Sequence, residues 1–443
     1  MRRVFPALWL SGRGVWWLLA VALVVAFTSV FPAFAPLAIF AAATYVALVI
    51  ADLVLGPRVQ AVRLRRGPTG FVSLRHRAAL RYVVENRSPV GIRIEILESP
   101  VATFAFEHET IGDRIAPRTF VETVSPFHAR ERGLVRLDAI YCRLENNLGF
   151  VSRRYRIDLP EEVRVFPDLS AVERYGRLAR RTTLIESGLR KMRLRGAGTE
   201  FETLREYLPG DGFRQINWKA TARHGQLMVE QYEVERSQNV LVLLDAGRLM
   251  TPRIGPQRKF DYALTAALSV AQIAQAAGDN VGLTAFAAKS VLAIPPRRGA
   301  AHVAMLTRAA YDLQPRLEEP DYETAFTQLK QRYAKRSLIV LFTDMFDPAA
   351  SAAVLAGLAT LVPRHLVMCV LMNDTAISRA LDDVPEAPRD AYRAAVALAL
   401  VAEREKAIAT LRSRGIIVVD VPAPKLTVAL LDAYLDVKSR GLL

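Results

Sequence analysis

Asn239-Val240-Leu241-Val242-Leu243-Leu244-Asp245 (NVLVLLD) decides the fold of the C-terminal half, because five apolar residues run without a polar break and end in a carboxylate. A strand with one wet face alternates, whereas a strand covered on both faces reads as such a run. Residues 280–287 (NVGLTAFA), 337–344 (SLIVLFTD), 365–373 (HLVMCVLMN) and 415–421 (GIIVVDV) repeat the pattern. Between them, 260–277, 351–361, 391–412 and 426–437 carry apolar residues at helical spacing. Buried strands separated by helices predict a mostly parallel, doubly wound α/β sheet over 239–443. Ligand sites in such sheets lie beyond the carboxyl ends of the strands, where Asp245 and Asp344 both fall.

Upstream the period changes to two. Ile92, Ile94 and Ile96 interleave with Arg93 and Glu95, and Leu80, Tyr82 and Val84 alternate in the same way. Asn86-Arg87-Ser88-Pro89 and Asn146-Asn147 supply turns between such runs. The expectation is an antiparallel β-sandwich over 59–170, a spacer or docking module. His76, His108 and His128 are scattered through it and form no catalytic grouping.

The first residues are of a third kind. Residues 14–31 (GVWWLLAVALVVAFTSVF) carry no charge, and 37–55 form a second apolar run whose only charge, Asp52, stands near its end. Each is long enough to cross ~30 Å of hydrocarbon. The short Pro-marked break at Pro32 and Pro36 makes 1–58 a transmembrane hairpin, with Asp52 an interfacial carboxylate. Arg2, Arg3 and Arg13 then share a side with Arg58, Arg63, Arg65 and Arg66, and the positive-inside bias makes that side the cytoplasm. The expected location is the inner membrane, multi-pass, with both termini cytoplasmic. Ala33-Phe34-Ala35 imitates a signal-peptide cleavage site, but Pro36 would follow the cut and a second apolar run comes at once.

Over 443 residues the composition excludes collagen-like and wholly disordered chains, and the net charge of +15 favours an anionic contact. Cys142 and Cys369 both sit in strand-like apolar runs, which points to buried free thiols in a reducing compartment rather than a disulfide framework.

Residues 171–238 connect the two folded parts. In 174–195 (RYGRLARRTTLIESGLRKMRLR) eight basic residues accompany one acid, so attraction to anionic lipid and a merely solvated linker are both open. Residues 198–223 (GTEFETLREYLPGDGFRQINWKATAR) follow. Pro209-Gly210-Asp211-Gly212 is a turn, and Glu200, Glu206 and Asp211 face Arg205, Arg214 and Arg223. One reading is a self-neutralising Arg–carboxylate network that fixes an irregular loop. The other makes Arg214, Lys219 and Arg223 receptors for a phosphate or acidic partner, with Trp218 as a flat anchor. No P-loop is present, since Gly-Lys-Ser/Thr is missing.

Glu200-Phe201, Leu204-Arg205-Glu206-Tyr207, Pro209-Gly210-Asp211, Arg214, Ile216-Asn217-Trp218-Lys219 and Thr221-Ala222-Arg223 resemble the signature of the DUF58 family. Gly212 departs from the acidic residue often found after Pro-Gly-Asp. The resemblance implies an N-terminal transmembrane pair, a β module and a C-terminal von Willebrand factor A-like domain. It also implies a partner class, MoxR-type AAA+ ATPases.

A von Willebrand factor A-like domain usually holds Mg²⁺ with an Asp-x-Ser-x-Ser loop, a Thr and a second Asp. Here Gly247 and Leu249 stand where the hydroxyls are expected, no Thr is evident near Glu319-Pro320-Asp321-Tyr322, and Asp344 matches the last carboxylate. Arg248 brings a fixed cation to the loop. The reading is a charge-paired crevice of Asp245, Gly247, Arg248 and Asp344, with Mg²⁺ on Asp245 and Asp344 the secondary reading.

With no Gly-x-Ser-x-Gly, His-Glu-x-x-His or Cys-x-x-Cys, the first functional expectation is a non-enzymatic, membrane-tethered interaction or scaffold protein. By the resemblance it works with a MoxR-type AAA+ ATPase in assembly or activation of envelope or metalloprotein complexes. The alternatives are a divergent metal-dependent hydrolase using Asp245 and Asp344, or an anionic lipid or nucleic-acid binder. Nucleic acid ranks last because no interleaved aromatic and basic stacking platform is present.

Overall fold

The computed structural model describes residues 7–56, 61–170, 172, 200–208, 213, 216–233, 238–345, 348–373, 377, 381 and 387–442. The basic connector 174–195, Arg2, Arg3, Arg58, Asp211 and Arg214 lie outside the described residues, as do the side chains of Glu200 and Arg205. The chain divides into two compact units, Met1–Phe166 and Pro167–Leu443.

In the first unit the period-two segments become strands. Arg77–Asn86 pairs antiparallel with Phe120–Ala129 and Val62–Arg66, while Gly133–Asn146 pairs with Val151–Phe166 and Ile92–Glu98. These pairings build two sheets, and the inward residues Leu80, Tyr82, Ile94, Phe127 and Leu137 share one buried core. Inside it Arg66 donates to Glu98 at 2.6 Å, and the Tyr82 hydroxyl donates to the same carboxylate oxygen at 2.5 Å. Burial, and then the neighbouring Glu98 charge, push the Tyr82 pKa upward. Arg66 is therefore a buried ion-pair partner, its side chain only 2% exposed.

The chain enters this unit through an edge strand, Ala7–Leu10, paired antiparallel with Val151–Arg154. Ser11 caps the helix Gly12–Thr28, its hydroxyl accepting the Gly14 N–H at 3.0 Å. The helix Ala35–Leu55 follows a Pro-marked turn. Turn and helix together, Pro32–Leu55, with a mean hydropathy of 2.3, are long and apolar enough to cross a membrane, and only 17% of the most apolar window is buried, unlike a core helix. Gly12–Thr28 is apolar but shorter.

In the second unit one six-stranded sheet runs in the order Ser290–Arg297, Asn280–Phe286, Asn239–Asp245, Ser337–Phe342, Leu366–Asn373, Ile417–Pro422. All neighbours are parallel except the edge strand Ser290–Arg297, which is antiparallel. Val240, Val242 and Leu244 pack on one side in a cluster with the helices Lys259–Ala276, Ala300–Ala310 and Leu426–Ser439. Leu241 and Leu243 pack on the other in a cluster with Tyr322–Arg332, Pro348–Ala359 and Pro388–Ser413. That two-sided cover is why NVLVLLD has no polar break. The expected helices are present with ends shifted by a few residues, whereas the edge strand and the helices Ala300–Ala310 and Tyr322–Arg332 were not anticipated. Both buried cysteines are free thiols, and burial pushes Cys369 up to about 12.

Candidate functional site

Strand order reverses between Asn239–Asp245 and Ser337–Phe342, and a crevice beyond their carboxyl ends is where such a sheet binds ligands. Asp245 ends the first strand and Asp344 follows the second by two residues, and both are fully buried. Each is already engaged. Asp245 Oδ1 accepts the Gly247 N–H at 2.7 Å, while Oδ2 accepts the hydroxyls of Tyr322 at 2.6 Å and Thr343 at 2.8 Å. Asp344 Oδ2 accepts Lys259 Nζ at 2.5 Å, and Oδ1 accepts Arg404 at 2.7 Å and the Met345 N–H at 2.8 Å. A second Arg404 nitrogen reaches Asp420 at 2.7 Å and the Met372 carbonyl at 3.1 Å. Burial raises the Asp245 pKa against the pull of those hydrogen bonds, with the Asp344 charge adding to the rise.

The crevice is thus charge-paired, but the cations are Lys259 and Arg404. Arg248, the cation visible in the loop, turns outward and pairs with the exposed carboxylate of Glu319. Lys259 is the first residue of its helix and was masked by the sequence position before the apolar face begins. Arg404 did leave a signal: it falls on the stripe Ala397, Arg404, Ala407, Ile408, Leu411, the buried face of its helix. A lone cation on such a stripe calls for a buried acid. Tyr322 and Thr343 supply the hydroxyls that the loop lacks, and no spacing rule pointed to them.

These residues do not fit Mg²⁺. An ammonium already sits on the carboxylate the metal needs, and Arg404 takes the other oxygen. Nor is there room for a hydroxyl at position 247: a Cβ on Gly247 would stand 2.7 Å from Pro320 Cδ and 3.0 Å from Asp245 Oδ1. Among the described residues no group of three or more His, Cys, Asp or Glu side chains comes together. A separate cavity of about 60 Å³ is lined by Phe286, Lys289, Asp321, Thr324 and Tyr333 but includes neither carboxylate. It is far below the ~300 Å³ of an ordinary ligand pocket.

The polar motif is a hairpin. Glu200–Glu206 pairs antiparallel with Met228–Glu233, and the helix Trp218–His224 lies between them in sequence. Asn217 caps that helix by accepting the Ala220 N–H at 2.9 Å, and Gly225 ends it in the left-handed region at φ +71°. Thr221 Oγ1 accepts the Met228 N–H at 3.0 Å, so two motif residues position backbone. Glu206, Trp218, Lys219 and Arg223 are exposed. Leu208, Phe213 (76% exposed), Trp218 (65%) and Leu227 are exposed as well, and the Phe213 ring lies 6.2 Å from that of Tyr207.

Residues 203–384 match the sequence model of a family described as "Protein of unknown function DUF58". "Uncharacterized protein Rv1480" of Mycobacterium tuberculosis is 24% identical over 181 residues, 40% of this chain and 56% of the relative, so the chain spans about half of that relative's length. "Uncharacterized protein YeaD" of Bacillus subtilis is 44% identical over 43 residues, 10% of this chain and 11% of that one. Among solved structures, the conserved hypothetical protein BatB from Bacteroides thetaiotaomicron aligns with a TM-score of 0.30 at 10% identity, covering 47% of this chain and 100% of that one. A PapD-like domain of human CEP192 aligns at 0.19 and 8% identity, covering 24% and 87%.

Proposed function

From the premise that this chain belongs to the DUF58 family, we propose that it is a membrane-tethered interaction protein without catalysis of its own. Its partner in this reading is a MoxR-type AAA+ ATPase, and the pair assembles or activates envelope or metalloprotein complexes. Both N-terminal helices span the inner membrane, both termini face the cytoplasm, the first unit is a β-sandwich spacer and the second a von Willebrand factor A-like domain. The topology draws support from the exposed apolar surface of Ala35–Leu55 and from Gly12–Thr28, which at 1.5 Å per residue rises about 26 Å. The carboxylates at the strand-order reversal of the α/β sheet support the domain type.

The interaction role rests on one observation: the family's signature hairpin leaves Leu208, Phe213, Trp218 and Leu227 uncovered beside Lys219 and Arg223. Large apolar side chains left exposed on one short segment supply the aromatic anchors that dominate protein contacts. The cations favour an acidic rim on the partner. The buried carboxylates of the crevice, by contrast, offer a partner no surface. The chain, solubilised in detergent, is expected to co-purify with an AAA+ ATPase identified by mass spectrometry. Phe213→Ala with Trp218→Ala is expected to lose that ATPase at an unchanged melting temperature. Full retention by the double variant refutes the hairpin as the docking surface.

A further inference from the structure

The six-stranded sheet ends on one side in Ser290–Arg297, and among the described residues no strand pairs with the outer edge of that strand. Alternate N–H and C=O groups of an edge strand point away from its neighbour, where another extended chain can pair with them. The sequence limits how far such pairing runs. Pro295 and Pro296 carry no N–H, which leaves 290–294 as the pairing stretch. Cations stand at both ends of it, Lys289 before and Arg297-Arg298 after.

The small cavity lies along this same edge. Its floor is one row across three strands, with Leu243 beside Thr284 and Thr284 beside Ala293. Its wall is the helix Tyr322–Arg332, which contributes Thr324, Gln328 and Arg332. Toward the sheet margin the floor is open, and Ala293 is exposed there. At about 60 Å³ the space is too small for a free ligand, but it suits a side chain that alternates inward from an added strand. Lys289 and Arg332 both line it, both are exposed, and neither pairs with an acid among the described residues. The acid in the lining, Asp321, caps the helix instead, accepting the Thr324 N–H at 2.9 Å.

We propose that this edge takes an extended acidic segment of a partner protein, which adds as a strand along 290–294, sets one side chain in the cavity and meets Lys289 and Arg332 with carboxylates. A second copy of the chain is the poorer occupant. Antiparallel self-pairing sets the Lys289 end of one strand beside the Arg297-Arg298 end of the other, and parallel self-pairing sets each cation beside its own kind. The site is separate from the signature hairpin and does not depend on the partner proposed for it.

The test titrates short fluorescent peptides of alternating Val and Thr, ended by Glu or by Lys, onto the full chain in detergent, with hydrogen exchange followed at 290–294. Glu-ended peptides are expected to bind about tenfold tighter than Lys-ended ones and to slow exchange along that stretch. N-methylation of the peptide amides, which removes their donors, abolishes binding. Lys289→Glu with Arg332→Glu inverts the order of the two peptides, and Ala293→Trp, which fills the cavity, weakens both at an unchanged melting temperature. Equal affinity for the two peptides, binding that survives N-methylation, full affinity in the Trp variant or no binding at all overturns the proposal. Protection of 290–294 that grows with the concentration of the chain alone also overturns it, by giving the edge to a second copy.

Discussion

Lys259 Nζ stands 2.5 Å from Asp344 Oδ2, with both side chains buried, and Arg404 holds the second oxygen of the same carboxylate. The acid at the carboxyl end of the central parallel strand is thus the anion of an internal triad. Arg404 also ties this carboxylate to Asp420 on the next strand but one.

Asp344→Ala removes the buried carboxylate that Lys259 and Arg404 share and is expected to cost about 3–5 kcal/mol. Lys259→Met leaves Arg404 on the carboxylate and costs less. Urea unfolding of the solubilised chain measures both, and wild-type stability in Asp344→Ala contradicts the triad. Asp344→Ala is consequently a poor probe of partner binding, whereas Arg248→Glu, at the exposed rim, perturbs surface charge without opening the core.

Restoring a hydroxyl to the loop does not create a metal site. Gly247→Ser drives its Cβ against Pro320 and the Glu318 carbonyl and is expected to destabilise the chain by about 1–3 kcal/mol. Addition of Mg²⁺ produces no rise in melting temperature in either form. A Mg²⁺-dependent rise in the variant means the loop opens further than its packing allows.

Asp245 carries a pH signature. Its folded pKa is raised by burial, so its contribution to stability is fully present below the unfolded value near 3.9 and is lost as pH rises through the folded value. Asp245→Asn cannot ionise and keeps hydrogen-bonding capacity toward Gly247, Tyr322 and Thr343. The melting temperature of the variant relative to wild type is expected to climb as pH increases above about 4. A flat difference across that range rules out a raised Asp245.

Burial pushes the Cys369 thiol up to about 12, so it stays protonated and unreactive at neutral pH. Cys142 is buried as well. Neither is expected to react with a maleimide in the native chain, and both react once urea unfolds it. Rapid native labelling at either position places that strand at the surface.

Near the end of Ala35–Leu55, Asp52→Ala deprives the Phe150 and Val151 N–H groups of their acceptor, a loss of about 1–3 kcal/mol. Hydrogen exchange at those two amides reports it directly, and exchange as slow as in wild type shows that the carboxylate does not hold them.

The α/β order of 239–443 was legible in the sequence because continuous apolar runs such as NVLVLLD have one structural use, a strand covered on both faces. The alternation at Ile92, Ile94 and Ile96 fixed the inward face of the first unit for the same kind of reason. Asp245 and Asp344 were placed correctly at the strand ends, since position in a doubly wound sheet follows from strand boundaries. The antiparallel edge strand was missed: Ser290–Arg297 lies at the sheet margin, is only partly buried and carries two prolines, so its pattern is weak.

By itself the sequence determined the buried strands and the four helices whose period is strong, and that two runs at the start are largely apolar, because these depend on local period and composition. Only the tertiary structure decided who answers each buried charge. Lys259 and Arg404 are 85 and 60 positions from Asp344, Tyr322 is 77 from Asp245, and Phe150 is 98 from Asp52. Charge pairing acts across a few ångströms of space rather than along the chain, so it becomes visible only when the folded sheet and helices bring those positions together.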